Sequence, residues 1–211
     1  MVVLVDASSS MLFDEKLTRA KQLAAAFAVM GLMNKEKVSV FSCHQQGKRP
    51  AILPPCTGRA SMKRLFDFLE GIQGGGEFPI EQAIETVVRL HRGRGIAVLL
   101  SDFLTLGDIQ RPLNMLFSAG LEIFGLQILG PSEIDPEVAG DLRFVDAESG
   151  ATLDITSASD LLTIYQEQRL ALEEHLTNLC RKRSGRFLSI SSADPLKWVL
   201  FDRLRRQGWV Q

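Results

Sequence analysis

Apolar and polar residues alternate along the chain in a way that predicts strands and helices in turn. Val2-Val3-Leu4-Val5 is an unbroken apolar run closed by Asp6-Ala7-Ser8-Ser9-Ser10. It reads as a strand buried on both faces of a parallel sheet. Leu17, Ala20, Ala24, Phe27, Ala28 and Gly31 then recur at helical spacing over residues 14–33, with Lys16, Arg19 and Lys21 predicted on the solvent side. Asp14 or Thr18 is the candidate cap. Residues 37–42 alternate as a second strand, and residues 51–53 form a short third, placed at an edge by Pro54 and Pro55. The brief turn at residues 45–48 makes that pair a hairpin, so the third strand runs antiparallel. A short amphipathic helix at residues 61–69 is broken by the glycine-rich stretch ending at Gly76, and Pro79 opens another that runs to His91. Residues 96–100 (IAVLL) are a second buried strand, ending in Ser101-Asp102. A helix at 108–119, a strand at 121–129, a long helix at 159–183, a strand at 186–190 and a last helix at 195–206 follow. Residues 131–155 break the rhythm and read as an inserted region with a small hairpin, its strands at 142–145 and 152–155.

Strands alternating with helices predict an α/β, doubly wound, mostly parallel six-stranded sheet of order 3-2-1-4-5-6 with strand 3 antiparallel. A chain of 211 residues fits a single domain over 1–211. The net charge of −1 gives no footing for nucleic acid as a partner. No apolar run reaches the ~18 residues that span a bilayer, and the start carries no export signal. Three cysteines, Cys43, Cys56 and Cys180, lack paired spacing, which fits a reducing cytoplasm rather than a disulfide framework.

Chemistry concentrates at two strand ends. In a doubly wound sheet, sites form outside the carboxyl ends of the strands. Asp6 and Asp102 each close a buried strand, and neighbouring parallel strands lie roughly 4.8 Å apart. Two carboxylates that close repel unless a cation or a proton stands between them. With Ser8 and Ser10 they offer only oxygen donors, which suit a hard cation such as Mg²⁺ or Mn²⁺. The alternative is an Asx/Ser turn that merely caps the following helix.

These residues resemble a known family. Asp6-x-Ser8-x-Ser10 with Leu99-Leu100-Ser101-Asp102 is similar to the metal-ion-dependent adhesion site of von Willebrand factor A domains. Residues 19–27 (RAKQLAAAF), 101–104 (SDFL), 131–136 (PSEIDP) and 144–150 (FVDAESG), with Tyr165 and the ending at 193–196 (ADPL), resemble the bacterial DUF58 proteins. The resemblance runs through the whole chain. It implies a von Willebrand A-like fold with the insertion as the family's own addition. It also implies a non-catalytic, protein-binding role, commonly as an adaptor for a MoxR-type AAA+ ATPase, and metal ligation by Asp6, Ser8, Ser10 and Asp102. Family members usually carry a segment before the first strand, and here Met1 sits on that strand, so the expectation is an A domain without it. The family's third hydroxyl ligand, a threonine, is missing: the matching stretch is Gly75-Gly76-Glu77-Phe78-Pro79-Ile80, and no serine or threonine occurs over residues 62–85. Glu77 and Phe78 form the expected rim, Glu77 as a substitute oxygen and Phe78 as a ring able to cover the site.

Other constellations carry less. Cys43-His44 with Cys56 lacks a fourth zinc ligand, and the glycine run has no following Lys-Ser/Thr for a phosphate loop. Arg89, Arg92 and Arg94 make a basic turn, either simply solvated or facing an acidic partner. A serine nucleophile needs a histidine at this sheet edge, and none of His44, His91 or His175 is expected there. Two alternatives to the adaptor reading stay open: a metal-dependent phosphohydrolase using Asp6 and Asp102, although Ser8 stands where a dehalogenase-type phosphatase has its second Asp, and a metal-independent scaffold.

Overall fold

The computed structural model describes residues 1–43, 50–76, 80–104, 109–136, 142–145, 152–155 and 158–209. In chain order, β1 (Val2–Asp6) is followed by a 3₁₀ segment (Ser9–Glu15), α1 (Lys16–Met33), β2 (Val38–Cys43), β3 (Ala51–Cys56), α2 (Met62–Glu70) and α3 (Ile80–Leu90). Then come β4 (Gly95–Ser101), α4 (Gln110–Ser118), β5 (Leu121–Leu129), α5 (Pro131–Ile134), β6 (Leu142–Val145), β7 (Thr152–Ile155), α6 (Ala158–Arg181) and β8 (Arg186–Ser191). A short α7 (Leu196–Trp198) leads into a π-helical segment (Val199–Leu204).

The main sheet has the order β3-β2-β1-β4-β5-β8, and β6 and β7 pair separately as an antiparallel hairpin. All neighbours in the main sheet are parallel except β2 and β3. The predicted order holds, with β8 as the sixth strand. The turn expected at residues 45–48, Pro79 and the link between β6 and β7 lie outside the described residues.

Side chains alternate across the sheet as the strand period of two requires. Val3 and Val5 of β1 face a layer containing Leu23 and Phe27 of α1, Leu65 of α2 and Val199 of the last helix. Val2 and Leu4 face the opposite layer, with Ile84 and Val87 of α3, Leu113 of α4 and Leu176 of α6. Because β1 is covered on both faces, its sequence is apolar throughout rather than alternating. Trp209 closes the first layer against Phe27 and Phe124, a packing role. All three cysteines are buried free thiols. Cys56 pairs in register with Val38 at one end of β2 while Cys43 lies at the other, so the two do not share a site.

Three expectations need correction. Residues 9–15 form a 3₁₀ segment, and Asp14 and Glu15 adopt left-handed backbone (φ 49° and 54°), so Asp14 does not cap α1. The last helix widens into a π turn instead of running on as an α-helix. Lys16, expected on the solvent side of α1, is fully buried.

The turn from α6 into β8 presses directly on β5: a Cβ at Gly185 would run into the backbone carbonyl of Ile123. Gly185→Ala is therefore expected to destabilise the chain by about 1–3 kcal/mol, since a backbone carbonyl cannot yield as a side chain does. Urea unfolding followed by circular dichroism measures it, and an unchanged midpoint would show that the turn is free to shift.

Candidate functional site at the carboxyl edge of the sheet

β1 and β4 are paired with Val5 opposite Leu100, which brings Asp6 level with Ser101 and leaves Asp102 one residue further on. Asp6, Ser8 and Asp102 are all buried. Asp6 Oδ1 accepts a hydrogen bond from the Ser8 amide at 2.9 Å, closing an Asx turn. Its Oδ2 accepts from Ser101 Oγ at 2.5 Å. The Ser8 and Ser10 hydroxyls lie 3.1 Å apart and bond to each other.

The glycine run after α2 is stitched to this turn. Gly75 donates to the Ala7 carbonyl, Ser9 to the Gly76 carbonyl, and the Gly76 amide to Ser9 Oγ, all at 2.8 Å. Gly75 and Gly76 have φ of 135° and 79°, which glycine adopts without strain. The glycine loop thus lies against this turn, while Glu77 and Phe78, the expected rim, lie outside the described residues.

Asp102 is presented by an unusual backbone. Phe103 has φ 55°, in the left-handed region, and is held by its amide bond to Ser101 Oγ at 3.0 Å and its edge-on packing against Phe187. Asp102 Oδ1 accepts from the Leu104 amide at 3.1 Å, and its carbonyl accepts from Gln127 Nε2 at 2.9 Å.

Its remaining oxygen meets a residue that the sequence reading had placed elsewhere. Lys16 Nζ donates to Asp102 Oδ2 at 2.9 Å and to Glu133 Oε1 at 2.5 Å. Glu133 comes from α5, at the start of the inserted region. Its Oε2 accepts from the Gly130 amide at 2.7 Å, and its carbonyl accepts from Tyr165 Oη at 2.8 Å. Next to it, Asp14 accepts from both the amide and the hydroxyl of Ser132. Lys16, Ser101 and Glu133 are thus site residues that sequence reasoning missed. One signal was available for Lys16: it lies four residues before the buried Ala20, on the apolar stripe of α1.

Proton affinities follow this layout. Burial, then the neighbouring Asp102 charge, pushes Asp6 up to about 7, against the pull of the Ser101 and Ser8 hydrogen bonds. For Lys16 burial disfavours the ammonium, but Asp102 and Glu133 together outweigh it and the net shift is upward. The Ser132 hydrogen bonds lower Asp14, and burial followed by the Asp6 charge raises the Cys43 thiol well above its usual range.

Tested against a divalent ion, the donor set does not fit as it stands. All four oxygens of the two aspartates already accept protein hydrogen bonds, and Asp102 is neutralised by an ammonium. An ion sharing that carboxylate would also face the Lys16 ammonium, which already sits on it. Among the described residues no three His, Cys, Asp or Glu side chains converge to hold a metal. A histidine base is not at hand in the described part either: His91 bonds the Gly93 carbonyl before β4, at the opposite edge, His175 is exposed on α6, and His44 lies outside the described residues.

Asp6 makes stability depend on pH. Its folded pKa of about 7 exceeds the ordinary 3.8, so its contribution is fully present below about pH 4 and is lost as pH rises to about 7. The loss approaches about 4 kcal/mol from three pKa units at 1.36 kcal/mol each. Asp6→Asn, which cannot ionise, is expected to flatten this part of the profile and to equal or exceed the parent chain in stability at pH 8. Urea midpoints from pH 4 to 8 test it, and parallel profiles for the two chains would refute it.

Comparison with known proteins identifies the family and the fold. The family model described as "Protein of unknown function DUF58" matches residues 1–174. An uncharacterized protein from Mycobacterium avium is 29% identical over 131 residues, covering 60% of this chain and 75% of that protein. An uncharacterized protein from Mycobacterium tuberculosis is 29% identical over 153 residues, covering 70% of this chain and 48% of its own length, so the chain spans about half of that relative. Among solved structures, the conserved hypothetical protein BatB from Bacteroides thetaiotaomicron superposes with a TM-score of 0.58 at 15% identity, over 99% of this chain and 98% of BatB. A von Willebrand factor type A structure from Catenulispora acidiphila gives 0.50 at 15% identity, over 61% and 32%. At such identity the likeness is one of fold, and the shared fold is the von Willebrand A-like sheet. With its family match running from β1 into α6, the chain belongs to the DUF58 family.

Proposed function

We propose that this chain is a non-catalytic protein-interaction module that binds through the carboxyl edge of its sheet and serves as an adaptor for a MoxR-type AAA+ ATPase. The observation that carries the reading is the character of that edge. Asp6, Lys16 and Asp102 are turned inward and satisfied, while Leu12 and Phe13, after β1, and Leu104, after β4, stand 55%, 58% and 41% exposed. Large apolar side chains left in water beside one another's loops mark a surface for a protein rather than for a small polar substrate. The MoxR partner rests on the resemblance of the sequence motifs to DUF58 proteins. The three buried free thiols favour the cytoplasm as the setting. Asp6, Ser8, Ser10 and Asp102 serve in this reading to shape the edge.

The phosphohydrolase alternative needs a carboxylate free to attack or to hold metal. Asp102 is tied to Lys16 and both oxygens of Asp6 accept hydrogen bonds, which weighs against it. The test is binding of the full chain to a MoxR-type ATPase of its own organism with Mg-ATP present, measured by interferometry. Phe13→Ser is expected to weaken binding at least tenfold without moving the melting temperature, and neither chain is expected to hydrolyse a chromogenic phosphate ester. Ester hydrolysis lost in Asp6→Ala would overturn the non-catalytic reading. Binding unaltered by Phe13→Ser would remove this edge as the interface.

A further inference from the structure

We infer that the Lys16 ammonium is the resident cation of this sheet edge and Glu133 its acidic ligand, so that the chain closes within itself a site that its aspartate and serine motif would otherwise offer to a divalent ion. Among the described residues Lys16 is one of the largest side chains with no exposure at all. Lysine is almost never fully buried without a partner. Here it has two carboxylates, one just after β4 and one on α5, at 2.9 and 2.5 Å.

The position of Lys16 is wrong for any local purpose. It is the first residue of α1, where the positive end of the helix dipole disfavours a cation, and no side chain caps this helix start. Its placement makes sense through what it meets across the fold. Asp102 and Glu133 are two carboxylates brought together from different elements, and the ammonium stands between them as a bridging cation would.

Glu133 is held for this role as firmly as Asp102. The Gly130 amide binds its second oxygen, Tyr165 Oη binds its carbonyl, and Ser132 binds Asp14 from the segment before α1. At Gly130 a Cβ would collide with the Asp14 side chain, so α5 lies directly on that segment. One consequence is structural: the ammonium straps the start of the inserted region to the sheet edge. The other concerns ligands: an ion must displace the ammonium before it can share Asp102. This inference does not depend on the adaptor reading, and its test uses no partner.

The experiment is a Mn²⁺ titration of the full chain, followed by calorimetry and by melting temperature, on the parent chain, Lys16→Met and Lys16→Arg. The parent chain and Lys16→Arg are expected to take up no Mn²⁺ at up to 1 mM. Lys16→Met leaves the two carboxylates uncompensated and is expected to melt about 10 °C lower, as removal of one member of a buried pair does. It is also expected to bind Mn²⁺ saturably and to recover much of its melting temperature with it. Should Lys16→Met not fold, Lys16→Met with Glu133→Gln removes one charge of each sign and carries the same expectation of new Mn²⁺ binding. Saturable Mn²⁺ binding by the parent chain overturns the inference. So does a folded Lys16→Met chain, alone or with Glu133→Gln, that gains no Mn²⁺ affinity.

Discussion

The carboxyl edge of this sheet depends on one buried ion pair. Taking an ammonium out of water costs several kcal/mol, and Coulomb attraction offsets that only where the geometry is good and the remaining donors are satisfied. Lys16 meets the condition with two carboxylates rather than one. The arrangement then fixes much else. Asp102 must stay where the left-handed Phe103 puts it, and Glu133 must stay where α5 and Tyr165 hold it. Through Lys16 the start of α1, the end of β4 and the head of the inserted region become a single unit, although Lys16 and Glu133 stand 117 residues apart in sequence.

Two neighbouring acids at this edge resolve their repulsion by different means. Asp102 is paired with the Lys16 ammonium. Asp6, shut between β2 and β4, has no cation and instead holds a proton more tightly, its pKa near 7, with the Ser101 hydroxyl and the Ser8 amide on its two oxygens. In the segment after β1 the apolar side chains of Leu12 and Phe13 are turned to solvent.

The sheet was legible because burial on both faces writes itself into sequence as unbroken apolar runs. Val2-Val3-Leu4-Val5 and Ile96-Ala97-Val98-Leu99-Leu100 could be little else, and the prolines after Ile52 and Leu53 marked β3 as an edge. The convergence of Asp6 and Asp102 followed from strand order alone. Lys16 was misread because a charge near a helix start is ordinarily solvated, and its partners lie 86 and 117 residues away, beyond any local pattern. Its spacing from Ala20, Ala24 and Phe27 points inward, against the usual preference of a lysine for water. The turn at Asp14 and Glu15 escaped for a related reason: neither is glycine, and the Asp14 carboxylate is held by Ser132, 118 residues away.

The D-x-S-x-S motif therefore carries less information about metal than its shape implies. Each of its groups has a use here that needs no ion: Asp6 closes the Asx turn, Ser8 and Ser10 satisfy each other, and Ser9 clasps the glycine loop. A metal site and a well-made strand-end turn ask for the same oxygen-rich residues, because both must satisfy backbone amides and hydroxyls where a buried strand leaves the core. What separates the two is the charge balance around them, and that is set by residues outside the motif. In this chain the deciding residue is a lysine ten positions after Asp6, turned inward onto the second aspartate.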